Sequence, residues 1–221
     1  MKFKNCVDRV LSPLRLQRLG DEPLKLAFSP AGELYYIQRR GALRRYDALR
    51  QTSVTIAQLE VFSEQEYGLI GLVFDPDFAN NHWLYLFRTE PDGDTGRNVL
   101  SRFKFVDDVL DMASEQELLS IPVDGNAEKR AAQTGGDMQF DERSNLWIST
   151  GDDTNPGDQS LIDDRPGQRY RDAARSAGNT MDLRGKILRI TPQEDGGYTN
   201  PPGNLFTDPE EGRPEIYVMG L

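Results

Sequence analysis

Two side chains in this sequence have the types and spacing to do chemistry at one place, Gln133 and Asp152, and Glu66 is a separate candidate. Gln133 opens Gln133-Thr134-Gly135-Gly136, and Asp152 follows Leu146-Trp147-Ile148-Ser149-Thr150-Gly151. Read as strand, turn and returning strand, the segment brings its two ends to one rim, because antiparallel strands joined by a single reversal start and finish side by side. An amide then stands beside a carboxylate. The glutamine can hydrogen-bond a hydroxyl but has no titrating group with which to take its proton, and an aspartate with its ordinary pKa near ~4 is a weak base. Asp152, with no competing partner for its lone pairs, can also accept a hydrogen bond from a hydroxyl. Glu66 sits in Glu66-Tyr67-Gly68-Leu69-Ile70-Gly71-Leu72, whose glycines permit a tight turn or a close backbone approach. It either lines a central cavity or is a solvated loop carboxylate.

Other candidates carry less. His82, the single histidine, falls in Ala79-Asn80-Asn81-His82-Trp83, a turn ahead of a strand, and has no histidine or cysteine partner for a metal. Gly151-Asp152-Asp153-Thr154-Asn155-Pro156-Gly157-Asp158 is rich in oxygen ligands but places Pro156 where an EF-hand needs a ligand, so it reads as a polar connecting loop and no metal site is expected in this chain. Residues 172–189 read as a polar loop delivering a strand.

Composition narrows the function classes. Lys+Arg is 26 against Asp+Glu 36, a formal charge of −10, and no basic run interrupts the acidic background. Nucleic acid and anionic membrane surfaces both need clustered positive charge and are excluded as partners. Cys6 is the only cysteine, so no internal disulfide exists. The basic opening Met1-Lys2-Phe3-Lys4 is followed by Val7-Asp8-Arg9, which breaks any apolar signal region, and nothing later reads as a membrane span.

The elements that must position these residues are short strands. Residues 1–23 form an N-terminal arm or leading strand, and from residue 24 strand formers alternate with Pro and Gly turns, as in Leu34-Tyr35-Tyr36-Ile37 after Ser29-Pro30-Ala31-Gly32. No stretch has a persuasive helical period. A phrase recurs: Ala27-Phe28-Ser29-Pro30 before Leu34-Tyr35, Val73-Phe74-Asp75-Pro76 before Leu84-Tyr85, and Gln139-Phe140-Asp141-Glu142 before Leu146-Trp147. A unit of roughly 40 to 50 residues holding four short strands is the signature of a propeller blade, with an apolar residue before each turn and an aromatic after it packing between blades. A β-sandwich uses similar strands without the recurring phrase. The expected class is all-β, with about three four-stranded blades over residues 24–221 forming an incomplete ring, since propellers ordinarily close with about four to eight. Residues 214–221 read as a strand still running, as in the front half of a longer protein.

Taken in order, Glu66-Tyr67-Gly68-Leu69-Ile70-Gly71 with Phe74-Asp75-Pro76-Asp77-Phe78, then Gly135-Gly136 with Ser149-Thr150-Gly151-Asp152, then Asn179-Thr180-Met181-Asp182-Leu183-Arg184-Gly185-Lys186-Ile187-Leu188-Arg189-Ile190, then Gly203-Asn204-Leu205-Phe206 and Arg213-Pro214-Glu215-Ile216-Tyr217-Val218-Met219-Gly220, resemble the glucose/sorbosone dehydrogenase family. The resemblance implies a six-bladed propeller that oxidises a sugar or related alcohol by hydride transfer to pyrroloquinoline quinone, with calcium. It places the general base two positions before Gly-Gly, at Gln133, the aspartate that orients the base at Asp152, and a sugar-lining residue at Glu66. Residues contacting the quinone and calcium are expected after Leu221, so this stretch alone is expected to be inactive and to need the remainder of the propeller. Family members are exported, which implies the periplasm or the exterior. Because glutamine cannot act as a base, the resemblance leaves two functions open: an impaired dehydrogenase, or a non-catalytic propeller that binds carbohydrate or a protein partner.

Overall fold

The structure is a computed structural model that describes residues 22–124, 133–155, 165–166 and 171–221. Most of the expected N-terminal arm, Cys6 and the 156–158 end of the oxygen-rich loop lie outside the described residues. The first sheet is a meander of β1 (Pro23–Phe28), β2 (Leu34–Gln38), β3 (Ala42–Asp47) and β4 (Thr52–Gln58). The second repeats it with β5 (Leu69–Phe74), β6 (Trp83–Asp92), β7 (Thr95–Val106) and β8 (Val109–Pro122), and a one-turn helix α1 (Phe78–Asn81) connects β5 to β6. The third holds β9 (Gly135–Phe140), β10 (Leu146–Thr150) and β11 (Lys186–Pro192), with α2 (Ala174–Ala177) before β11. Its outermost position is shared by two short strands, β12 (Tyr198–Thr199) and β13 (Ile216–Met219), each paired to a different end of β11. The helices were not foreseen from the sequence because a single turn is too short to show a period.

The sheets stack face to face, and period-two alternation explains how. In β6, Trp83, Tyr85 and Phe87 join the cluster shared with the third sheet, through Met138, Ile148 and Leu188. Leu84 and Leu86 join the cluster shared with the first sheet, through Tyr35, Ile37 and Leu43. Side chains on successive positions point to opposite faces, so a strand covered on both sides reads as continuously apolar. β1 lies beside β5 and β5 beside β9, and an ion pair from Lys25 to Asp137 links the first and third sheets across β5.

The recurring phrase builds the contact between sheets. Tyr35 on β2 meets Phe74 on β5 edge-on at 5.5 Å, and Tyr85 on β6 meets Phe140 on β9 in the same way at 5.1 Å. Each aromatic pair adds about 0.5–1.5 kcal/mol beyond its buried area. The aspartate after the Phe holds the next strand's aromatic: Asp75 accepts from the Tyr85 hydroxyl at 3.0 Å, and Asp141 from Trp147 Nε1 at 3.0 Å. Burial alone would raise the Asp141 carboxyl, but hydrogen bonds from Asn145, Trp147 and Arg143 outweigh it and hold the group well below the usual carboxylate range. The first copy of the phrase departs from the expectation. Phe28 is 53% exposed with Leu24 and Leu26, because its face of β1 has no sheet against it among the described residues.

Equivalent positions should therefore differ in energy. Phe74→Ala is expected to cost about 3–5 kcal/mol, and Phe28→Ala less than about 0.5 kcal/mol, measured as shifts in urea-unfolding midpoint at constant m-value.

Candidate functional site

The rim lies where β5 and β9 begin and β10 ends, and close backbone contact makes it. A Cβ on Gly71 would stand 2.3 Å from the Gly136 carbonyl oxygen, so β5 and β9 touch only because glycine occupies the position. Gly151 is more constrained: a Cβ there would lie 1.5 Å from the Gln133 carbonyl oxygen, since the chain at Gln133 crosses directly over it. Gly151 N–H donates to the Thr134 carbonyl at 3.1 Å. The Thr134 hydroxyl accepts from Asn98 at 2.9 Å, and Asn98 accepts in turn from Thr89 at 2.6 Å, which ties the entry of β9 to the second sheet.

The structure brings the three sequence candidates together. The Gln133 backbone N–H donates to Glu66 Oε2 at 2.8 Å. Glu66 is exposed at the end of a loop that Arg39 holds through the Ser63 and Tyr67 carbonyls at 2.5 and 3.0 Å. The buried Thr154 hydroxyl stands between the other two, 2.8 Å from Asp152 Oδ1 and 3.1 Å from Gln133 Oε1, and Thr154 N–H donates to the same Asp152 oxygen at 3.1 Å. Asp152 Oδ1 is thus engaged, whereas Oδ2 takes no hydrogen bond among the described residues. Gln133 and Asp153 both adopt left-handed backbone, φ 62° and 61°, a conformation that costs about 1–2 kcal/mol for an L-residue and is held by its surroundings.

Behind the rim lies a charged brace. The Asp153 carboxylate accepts from the Tyr67 hydroxyl, from Asp124 N–H at 2.5 Å and from Arg184 at 3.2 Å. Burial pushes its pKa up despite those donors. Arg184 also binds Asp182 and Asp124, at 2.6 and 2.8 Å; burial works against its charge, and the carboxylates overcome this and raise its pKa. The Ser176 hydroxyl donates to the Asp152 carbonyl at 2.6 Å, and Arg175 to the Asp153 carbonyl at 3.1 Å. Lys186, fully buried, donates to the carbonyls of Ser176, Ala177 and Arg184 at 2.7, 3.0 and 2.7 Å. Burial is the main reason its pKa falls to about 8.

The polar loop read over 172–189 is thus the brace of the rim. Thr154, Asp153, Arg184 and Lys186 escaped the sequence reading because loop contacts have no period. The one available signal was the density of polar side chains immediately after Gly151. His82 sits elsewhere, at the left-handed cap of α1, edge-on to Phe78 at 5.9 Å. It lines a cavity of about 570 Å³ with Glu33 and Asp108 at the opposite end of the strands. Among the described residues no group of three or more His, Cys, Asp or Glu side chains could hold a metal ion, and no helix is long and apolar enough to cross a membrane.

Meandering antiparallel sheets stacked face to face, with their first strands side by side and a polar rim at one end of those strands, define an open arc of a β-propeller. The chain belongs to the glucose/sorbosone dehydrogenase family, whose sequence model matches residues 20–221. It is 27% identical to the aldose sugar dehydrogenase YliI of Escherichia coli over 93% of this chain and 50% of that protein. Among solved structures, an oxidoreductase of Thermus thermophilus assigned as a glucose dehydrogenase shares 28% identity with a TM-score of 0.68, over 90% of this chain and 52% of its own. The aldose sugar dehydrogenase of Streptomyces coelicolor, solved with pyrroloquinoline quinone bound, shares the fold at 21% identity and a TM-score of 0.64, over 90% of this chain and 49% of its own. The chain spans about half the length of the curated relatives it matches.

Two outcomes test the brace. Asp153→Ala should destabilise the protein by about 3–5 kcal/mol, as removal of one member of a buried charge set does, measured by chemical denaturation. Lys186 binds its proton less tightly folded than unfolded, so its contribution to stability is least favourable below about pH 8 and recovers as pH rises towards the ordinary lysine value. Stability should therefore rise with pH across that window, and Lys186→Met should remove the rise.

Proposed function

We propose that Glu66, Gln133 and Asp152 form the sugar-facing rim of a dehydrogenase-type propeller whose substrate is an aldose or related alcohol. The observation that carries this reading is the convergence on Gln133, with Glu66 on its backbone N–H and Thr154 linking its side chain to Asp152. Oxidising an alcohol by hydride loss requires a group to accept the hydroxyl proton, and a base in place contributes about 10²- to 10⁴-fold. Gln133 cannot supply it. Within the linked set, Asp152 keeps one carboxylate oxygen free and is the remaining acceptor, with the disadvantage of an acidic group. Turnover in this protein is accordingly impaired relative to a histidine at position 133.

Pyrroloquinoline quinone and calcium, which the family resemblance implies, do not fit the described residues: no group of three or more His, Cys, Asp or Glu side chains among them could hold a metal ion. The carboxylates of the quinone require cationic donors, while Arg175 and Arg184 are committed to Asp124, Asp153 and Asp182, and the rim itself carries the carboxylates of Glu66 and Asp152. Their ligands are proposed to come from sequence outside these residues. Residues 24–221 are proposed as part of one propeller domain, in which further sheets cover the Phe28 face of β1 and the Tyr217 and Val218 face of β13. By family resemblance its compartment is the periplasm or the exterior. The second reading, a propeller that binds carbohydrate or protein without oxidising anything, is favoured by Gln133 alone.

The deciding measurement follows reduction of an electron-accepting dye by a panel of neutral sugars, with quinone and calcium added, in a form of the protein with a closed ring. Gln133→His is expected to turn over about 10²- to 10⁴-fold faster than the parent. Equal rates would overturn the assignment of position 133 as the base position, and no reduction by either variant would favour binding without chemistry.

A further inference from the structure

The Thr154 hydroxyl has one proton and two neighbours placed as acceptors, Asp152 Oδ1 at 2.8 Å and Gln133 Oε1 at 3.1 Å. A carboxylate is the stronger acceptor of the two, and it is also the nearer, so the proton lies towards Asp152. The Gln133 oxygen would then face a hydroxyl oxygen that has no proton left to give. Turning the amide over puts Nε2 at the same point, where it donates to Thr154 Oγ1. The two ends of a glutamine amide have nearly the same shape, so the hydrogen-bond network decides between them. Each contact within the row Gln133, Thr154, Asp152 then pairs a donor with an acceptor, and Thr154 N–H completes the engagement of Asp152 Oδ1.

What this leaves unpaired, apart from the second Nε2 hydrogen of Gln133, is acceptors. Gln133 is exposed and presents Oε1. Asp152 is 9% exposed, and its Oδ2 has no hydrogen-bond partner among the described residues. Glu66 spends Oε2 on the Gln133 backbone and keeps Oε1. Among the described residues no ion pair reaches the Glu66 or Asp152 carboxylate: Arg184 is paired with Asp124, Asp153 and Asp182, Arg175 with Asp124, and Lys186 donates to backbone carbonyls.

We infer that Thr154 is the positioning residue of this rim: it holds the Gln133 amide with Oε1 towards the ligand, which makes the rim a set of acceptors that takes neutral polyhydroxy ligands and rejects sugar acids and sugar phosphates. Hydroxyl groups donate to all three oxygens, whereas a ligand carboxylate or phosphate brings further acceptors and like charge to Glu66 and Asp152. The choice of ligand class rests on the sugar reading proposed above; the Gln133–Thr154–Asp152 row does not.

The experiment compares the parent, Thr154→Val and Thr154→Ser by two readouts. The first is hydrogen exchange of the Gln133 side-chain amide, whose nuclear magnetic resonance signals are assigned by their loss in Gln133→Glu. In the parent one amide proton is expected to exchange at least about tenfold more slowly than in free glutamine; Thr154→Val should abolish that protection and Thr154→Ser restore it. The second is titration with glucose, glucuronate and glucose 6-phosphate, in which the parent should prefer glucose by about tenfold or more and Thr154→Val should lose the part of that preference that the Gln133 carbonyl supplies, the charges of Glu66 and Asp152 keeping the rest. Unchanged amide exchange in Thr154→Val, or a Thr154→Ser variant that behaves as valine does, overturns the positioning role. Glucuronate bound as tightly as glucose by the parent overturns the acceptor rim. A protected amide in a parent that binds none of the three compounds would sink the sugar reading while leaving the role of Thr154 standing.

Discussion

The edge-to-face aromatic contact between consecutive sheets is the interaction on which the remainder of this structure depends. It is made by the second strand of one sheet and the first strand of the next, Tyr35 with Phe74 and Tyr85 with Phe140. Since it joins neighbours at the same height along their strands, it sets β1, β5 and β9 side by side. The Gly71 and Gly136 contact then follows, because two backbones can approach that closely only without side chains. Glu66 precedes β5 and Gln133 precedes β9, so alignment of those strands is what delivers a carboxylate from one sheet to an amide of the next. The rim is a property of sheet stacking before it is a property of any loop.

The brace behind the rim answers a different demand. The left-handed residues Gln133 and Asp153 and the crossing of Gln133 over Gly151 are unfavourable locally. Something must hold them, and apolar packing cannot reach exposed loops that end in carbonyls and carboxylates. Asp153, Arg184, Asp124 and Tyr67 do so with directional bonds, at the expense of burying charge. Buried charges are stabilising only when every member is paired, and the raised pKa of Asp153 and lowered pKa of Lys186 record that expense. Among the described residues Lys186 has no carboxylate in contact; it caps three carbonyls.

Much of the stacking was legible in the sequence, and little of the brace was. The recurring Phe and aromatic positions, the Pro and Gly turns and the hairpin from Gln133 to Asp152 are periodic or local, and they correspond to β1–β2, β5–β6 and β9–β10. The repeat did not reveal that each Phe faces the sheet before it, so the exposure of Phe28 was missed although the strand itself was found. Asp153, Thr154 and Arg184 act through contacts between segments far apart in sequence, with no spacing rule to expose them. The family resemblance supplied expectations for positions 66, 133 and 152, and geometry added the residue that links two of them. Asp152 read as an aspartate with idle lone pairs; in the structure only one of its two oxygens is idle.

The way Glu66 engages Gln133 bears on how a base could be exchanged for an amide without loss of the rim. Glu66 binds the backbone N–H of residue 133, Asp153 N–H reaches its carbonyl at 3.4 Å, and Gly151 lies beneath that same carbonyl. None of these contacts involves the side chain. The only side-chain hydrogen bond at position 133 among the described residues is with Thr154, and a hydroxyl that both donates and accepts tolerates an amide as well as an imidazole. Backbone contacts fix the shape of the rim, and in the function proposed above the side chain at position 133 decides whether a strong base stands beside Asp152. On the proposed reading, a substitution there would alter reactivity and leave the architecture nearly untouched, because none of the contacts that shape the rim passes through that side chain.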